Sequence, residues 1–202
     1  MERLLYRGID VSYETIRQWC IKFGPHFKSV IKKRAPRPSD KWHLDEQQLR
    51  IGGVTYSLWR AVDEEGYELD VFLQKRRNKK AAIRFLSRLL NTYPKPRVIV
   101  TDKLRSYTKP IRQMGKGVEH RSHKGLNNRV ENAHQPTRRK EKCLIRFKSP
   151  AGAQNLIALM GCTRNLFAVA VGRYTKPAQQ RRSQFQVAKE IWKHAALEFL
   201  CA

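Results

Sequence analysis

The chain has 202 residues, 41% of them hydrophobic, enough to bury one substantial core and too apolar for a disordered basic tail. Its 42 lysines and arginines stand against 17 aspartates and glutamates, a formal net charge of +25 that makes a polyanion, DNA or RNA, the default partner. An anionic membrane is the competing polyanion, but the long apolar stretch NLIALMGCTRNLFAVAV is interrupted by Arg164 and the start MERLLYRGID lacks a signal-peptide pattern, so the expectation is a cytoplasmic protein.

In DVSYETIRQWCIKFGP, Ser12 is a helix N-cap, Ile16, Trp19, Cys20 and Phe23 recur at helical spacing as a core stripe, and Gly24-Pro25 is read as the stop. The basic segment HFKSVIKKRA and the Pro-rich PRPSDK follow, which sets off residues 1–38 as a small N-terminal module with a linker. The period then changes from helical to alternating. KWHLDEQQLRI reads as a strand, Gly52-Gly53 as a tight hairpin turn, VTYSLWRAV as its partner, DEEG as the next turn and YELDVFLQ as a third strand. NKKAAIRFLSRLLNTY places Ala82, Phe85, Leu86 and Leu89 on one helical face, and RVIVTD is the short apolar run of a strand buried on both sides. KLRSYTKPIRQMGKG has helical potential around Pro110, VEHRS suits an edge strand, and 127–134 reads as a helix limited by Pro136. AGAQNLIALMGCTRNLFAVAV suits a core-packing helix, and QVAKEIWKHAALEFL a final amphipathic one. The order is β-β-β-α-β followed by further helix and strand, an α/β class with the main domain over 39–172 and a basic helical tail over 173–202.

So few acids can be considered one by one. Asp45 and Glu46 are neighbours on the first strand, and period-2 geometry sends them to opposite faces, so only one is expected in any given site. Asp102 follows VIVT and so falls at the carboxyl end of a buried strand, the edge where open α/β sheets hold ligands. A carboxylate from the first strand, one from the end of the fourth and one from a later helix converge if strands one and four are adjacent. Their repulsion is then relieved by hard cations such as Mg²⁺, and a pair of ions about 3.5 to 4 Å apart suits in-line phosphoryl displacement. Cys20, Cys143, Cys162 and Cys201 lack metal-ligand spacing and are read as reduced thiols.

Several ordered motifs, KWHLDEQQLRIGGVTYSLWRAVDEEGYELDVFLQKRRNKKAA, VIVTDKLRSY, EHRSHKGLNNRVENAHQPTRR and RFKSP, together resemble bacterial insertion-sequence transposases of the acidic-triad (DDE) class, in the replicative, cointegrate-forming family. The resemblance covers roughly residues 8 to 170. It implies an RNase H-like, integrase-type core with a mixed five-stranded sheet in β-β-β-α-β-α-β-α order. The family's aspartate in WHLDE matches Asp45, its aspartate in TDK matches Asp102, and its glutamate in NNRxE matches Glu131. These three are the expected catalytic residues and ligands of two Mg²⁺ ions, with Mn²⁺ as a substitute. Expected partners are the element's terminal inverted repeats, target DNA and a second copy of the chain, since two element ends must be synapsed. Two departures stand out. The 28 residues between Asp102 and Glu131 are fewer than in well-known members, consistent with a trimmed loop near GKGV. Met1 also falls inside the family's helix-turn-helix, leaving a partial module and implying a misassigned start codon or a truncated copy.

Glu46 is expected to be a solvent or packing neighbour and His43 a structural histidine. His120 and His123, three apart on a strand, point to opposite faces and suit phosphate or surface contacts better than zinc. Asn127, one helical turn before Glu131, either orients that carboxylate, meets DNA or caps the helix. Lys103, Arg105, Lys124, Arg129, Arg138, Arg139 and Lys140 flank the proposed ligands and are expected to hold the DNA backbone as a group. On the first helix Thr15, Arg17 and Lys22 are the DNA-facing candidates. The rival readings are a recognition-defective DNA-binding remnant of a transposase, a host nuclease of the same fold and a basic RNA-binding structural protein, the last of which has no use for the acids.

Overall fold

A computed structural model describes residues 8–34, 37–102, 105–122, 134–135, 137–139, 141, 147–167 and 178–200. Helix α1 spans Tyr13–Lys33. Strands β1 (Lys41–Ile51), β2 (Val54–Asp63) and β3 (Glu68–Gln74) follow, then α2 (Lys79–Thr92), β4 (Val98–Thr101), α3 (Arg105–Met114), β5 (Glu119–Ser122), α4 (Pro150–Phe167) and α5 (Ala178–Leu200). The strands form one sheet in the order β3-β2-β1-β4-β5, antiparallel across β3, β2 and β1 and parallel across β1, β4 and β5. The mixed five-stranded sheet expected from the sequence is present, with strands one and four adjacent.

The β1–β2 turn explains its own register. Gly52 and Gly53 have φ of 56° and 80°, the left-handed backbone that a two-residue hairpin turn demands of both central residues. That turn pairs Ile51 with Val54 and, ten residues from the tip, Trp42 with Asp63. Asp63 then organises the β2–β3 turn, its Oδ1 accepting from the backbone N–H of Glu65 at 3.0 Å and of Tyr67 at 2.9 Å.

Alternation along the strands feeds two cores. On one face Trp42, Leu44, Trp59 and Leu69 pack against Ala82, Phe85, Leu86 and Leu89 of α2 and Tyr107 and Ile111 of α3. On the other, Leu49, Ile51, Leu58 and Val71 pack against Phe147 and Ala153, Ile157 and Ala158 of α4. Each leucine, isoleucine, valine or phenylalanine so buried contributes about 1.5 to 3 kcal/mol.

Strand β3 is an edge, and its exposed backbone groups are capped by side chains. Gln154 of α4 accepts from Leu73 N–H at 2.6 Å and donates to the Val71 carbonyl at 2.9 Å. Asn165 does the same for Glu68, at 2.9 and 2.7 Å, and the Tyr93 hydroxyl donates to the Leu69 carbonyl at 3.0 Å. Capping of this kind blunts an edge that would otherwise template another strand.

Two expectations for α1 are corrected. The helix does not stop at Gly24-Pro25 but runs through it to Lys33, with Ser12 capping its start through the Thr15 N–H at 3.0 Å. Proline inside a helix loses a hydrogen bond, a cost of about 3 kcal/mol. Here tertiary packing offsets it. A Cβ on Gly24 would lie 3.4 Å from Leu159 of α4, Phe27 stacks on Trp192 of α5 with ring centroids 4.7 Å apart, and His26 meets the Ala195 carbonyl at 3.0 Å. Trp19, expected in the core stripe, is 42% exposed, because the part of α1 that is clasped by α4 and α5 lies after Gly24. Among the described residues no helix is long and apolar enough to cross a membrane.

Candidate metal centre

The register of two parallel strands builds the site. Leu44 of β1 pairs with Thr101 of β4, the last residue of that strand, so the next positions, Asp45 and Asp102, stand side by side at the carboxyl end of the sheet. Two hydroxyls steady the backbone there. Thr101 Oγ1 and Ser122 Oγ both donate to the Asp102 carbonyl, at 2.8 and 2.9 Å. His120 lies 2.9 Å from the Thr101 hydroxyl, with burial pushing its imidazole below the ordinary value, so it braces the end of β4.

Asp45, Glu46 and Asp102 each offer a carboxylate oxygen, and these oxygens lie within 4.8 Å of one another. Glu46 therefore overturns the expectation that it is a bystander and that only one of the two neighbours can join. Alternation does send them to opposite faces: Glu46 turns toward Tyr107 of α3, while Asp45 turns toward His134. But β4 ends at Thr101, so on that side of β1, opposite β2, the space beside both residues is open to Asp102. Both carboxylates lean over Asp102.

The partners of these acids are specific. Glu46 is 1% exposed at its side chain, ion-paired to Arg77 and accepts from the Tyr107 hydroxyl at 3.1 Å. Burial pushes its carboxyl up to about 7, against the pull of Arg77 and helped by the negative charge of Asp102 and Asp45. Burial and the same acids raise the Tyr107 hydroxyl well above its ordinary value, so it stays a proton donor. His134 Nε2 donates to Asp45 Oδ2 at 3.1 Å, and burial lowers its pKa, which keeps the ring neutral. The donor set, crowded carboxylate oxygens met by neutral groups and one guanidinium on Asp45 and Glu46, fits a hard divalent cation.

A second cluster lies beside the first. Asp45 faces Arg60 across the β1–β2 pair, and Arg60, 1% exposed, donates to Thr137 Oγ1 at 2.6 Å and sits 3.5 Å from Glu68. Glu68 also pairs with Arg164 at 3.5 Å. Its carboxylate occupies the space a side chain would take at residue 161, since a Cβ there would fall 1.6 Å from Glu68 Oε1, so any larger residue would displace Glu68 from its arginines. His134 and Thr137, three positions apart in sequence, thus dock on Asp45 and Arg60, two residues that are themselves cross-strand partners.

Of the residues named from sequence, Asp45 and Asp102 are brought together. Glu131 lies outside the described residues, as do Lys103, Lys124, Asn127, Arg129, Lys140 and His123. Arg105 opens α3, and Arg138 and Arg139 are helical and exposed beside Thr137. On α1, Arg17 is ion-paired to Glu14, Thr15 bonds the Ser12 hydroxyl at 2.8 Å, and Lys22 stacks over Phe23 at 5.4 Å. His43 is 3% exposed within the sheet. Sequence reasoning missed Glu46, Arg77, Tyr107, His134 and Arg60. For Arg60 a signal existed, because a two-residue turn at Gly52-Gly53 fixes the hairpin register and obliges Asp45 to face it.

Residues 39–169 match the family model described as a DDE domain, of IS240-type transposases. The transposase of the insertion sequence-like element IS431mec from Staphylococcus aureus is 29% identical over 171 residues, covering 82% of this chain and 75% of that protein. The transposase of IS257 in transposon Tn4003, also from Staphylococcus aureus, matches at the same identity and coverage. Among solved structures, the HTLV-2 integrase catalytic core domain in complex with magnesium superposes with a TM-score of 0.50 at 18% identity, over 73% of this chain and 98% of that one. A chain of the simian T-cell lymphotropic virus intasome also gives 0.50, at 16% identity, over 72% of this chain and 56% of that one. These likenesses establish the integrase-type, RNase H-like fold. With a sheet of that order, paired aspartates at its carboxyl end and a matching model over most of its length, the chain belongs to the DDE transposase family of insertion sequences.

Proposed function

We propose that the protein cuts DNA phosphodiesters at the ends of its element and joins the released 3′-hydroxyl to target DNA, with Asp45, Asp102 and Glu131 holding two Mg²⁺ ions, or Mn²⁺ in their place. The observation that carries this reading is the convergence of carboxylate oxygens from β1 and the end of β4 within 4.8 Å. Glu131 is assigned from the NNRxE motif and from its place three residues before His134, whose ring already bonds Asp45. Glu46 completes the acidic wall.

When bound, the ions would supply electrophilic stabilisation to both the attacking and leaving oxygens of an in-line displacement. The protein's own groups do the rest. His134 fixes one oxygen of Asp45, leaving the other for coordination. Tyr107 and Arg77 orient Glu46 and limit the repulsion it adds. Exposed Arg138 and Arg139 draw the phosphate backbone toward a site that is itself acidic.

We assign residues 1–38 to DNA recognition, 39–172 to catalysis and 173–202 to a basic helical tail, with a dimer or larger assembly bringing two ends together. Labelled duplex carrying the element's terminal repeat is expected to be nicked at the repeat end with Mg²⁺ and left intact with EDTA. Equal cleavage of RNA–DNA hybrid without repeat preference would replace this reading with that of a general nuclease.

A further inference from the structure

The stretch from the end of β3 into the first turns of α2 is the most one-sidedly charged part of the described protein. Lys75, Arg76, Arg77, Lys79, Lys80 and Arg84 fall within ten positions, and no acid occurs between Asp70 and Asp102. Arg77 is spoken for by Glu46. The others have no carboxylate partner among the described residues, and what sets them apart is their closeness in one segment without an acid. Unpaired cations this close together repel one another and are costly to hold unless something anionic covers them.

Their arrangement is a groove, not a scatter. Lys75, Arg76, Lys80 and Arg84 rim a concavity of about 510 Å³ whose floor includes Phe72 and Leu73. The loop under it is pinned: Gln74 donates to the Ala81 carbonyl at 2.8 Å, and Asn78 Oδ1 accepts from Ala81 N–H at 3.0 Å to cap α2. The groove also opens at the same end of the sheet as the acids, because β1 and β3 run in the same direction through β2 and both end there. Gln74 aligns with Ser57 and through it with Gln48, three residues beyond Asp45. Two strand spacings and three residue rises separate the two features by roughly 14 Å.

We propose that this groove is a duplex-backbone site, holding phosphates of the same DNA within roughly 14 Å of the one that reacts at Asp45 and Asp102. Apolar floor and cationic rim match the sugar and phosphate surfaces of one DNA strand. Arg77 joins the two features, one guanidinium on the acidic wall within a loop otherwise turned to the phosphates. The inference rests on the transposase reading for the reacting phosphate, but the groove can be tested without catalysis.

The test compares the quadruple variant Lys75→Ala, Arg76→Ala, Lys80→Ala, Arg84→Ala with a control that removes equal charge away from the groove, Lys95→Ala, Lys109→Ala, Arg112→Ala, Lys116→Ala. Fluorescence anisotropy with a labelled 30-mer duplex, titrated from low to physiological salt, gives the slope of log K against log salt, worth about 0.9 per phosphate contact. The groove variant is expected to lower that slope by about 2 to 4 units and the control by less than about 1, with both variants melting like the parent. Equal slopes for the two variants, or an unchanged slope in the groove variant, would overturn the proposal. Failure of the parent chain to cleave any duplex with Mg²⁺ would instead remove the transposase reading, leaving the salt slope to decide the groove on its own.

Discussion

Two charged clusters meet on the β1–β2 pair, joined through Asp45 and Arg60, and they are built to opposite rules. Around Arg60 opposite charges are interleaved: Glu68 sits between Arg60 and Arg164, the Thr137 hydroxyl oxygen accepts from Arg60, and Gly161 leaves room for the Glu68 carboxylate. Around Glu46 like charges are gathered, with three carboxylates at one point and burial forcing one of them up to about 7. The first cluster is held by attraction among its own groups. The second is complete only with added positive charge, which is the physical difference between a group that holds a fold and a group that does chemistry.

The largest effect that would sharpen this contrast is at Asp102. Asp102→Asn is expected to lower Mg²⁺-dependent cleavage at least about a thousandfold, about 4 kcal/mol of barrier, while metal-free thermal stability stays level or rises because repulsion is relieved. A variant that unfolds instead would place Asp102 with the structural cluster.

Next in size, Glu68→Ala would leave Arg60 buried without its counter-charge and is expected to cost about 3 to 5 kcal/mol in urea unfolding. Adding Arg60→Met should recover much of that, since an apolar side chain needs no partner. If Glu68→Ala were silent, the balanced cluster would be ornamental and the comparison would fail.

The smallest expected effect concerns pH. Glu46 has an ordinary value of 4.5 and a folded value of about 7, so the folded state keeps the proton longer than the unfolded chain. Its contribution to stability is therefore greatest below about pH 4.5 and is lost as pH rises through about 7. A divalent cation counters the charge that appears there. Calorimetry is expected to show a larger melting-temperature gain from Mg²⁺ at pH 8 than at pH 5.5, a difference of a few degrees, and Glu46→Gln should flatten it.

Much of the architecture was legible because local chemistry and tertiary placement agreed. The two glycines set the β1–β2 register, the run VIVT marked β4, and the adjacency of strands one and four put Asp45 beside Asp102. Where the two disagreed, sequence misled. Gly24-Pro25 carries every local mark of a helix end, yet packing on Leu159 carries α1 across it. Strand alternation sends Asp45 and Glu46 to opposite faces, but β4 stops at Thr101, and past its end both carboxylates reach Asp102. Arg77 and Tyr107 were invisible for another reason: they reach Glu46 from 31 and 61 positions away, a distance no periodicity reports.

The amide side chains of Gln154 and Asn165 also limit how copies of the protein can associate. By occupying the backbone of β3 from the side, they close the sheet's antiparallel border to any incoming strand. Contacts between copies at that border are therefore contacts between side chains, which form and release more readily than a shared sheet, and growth into an irreversible sheet from β3 is blocked.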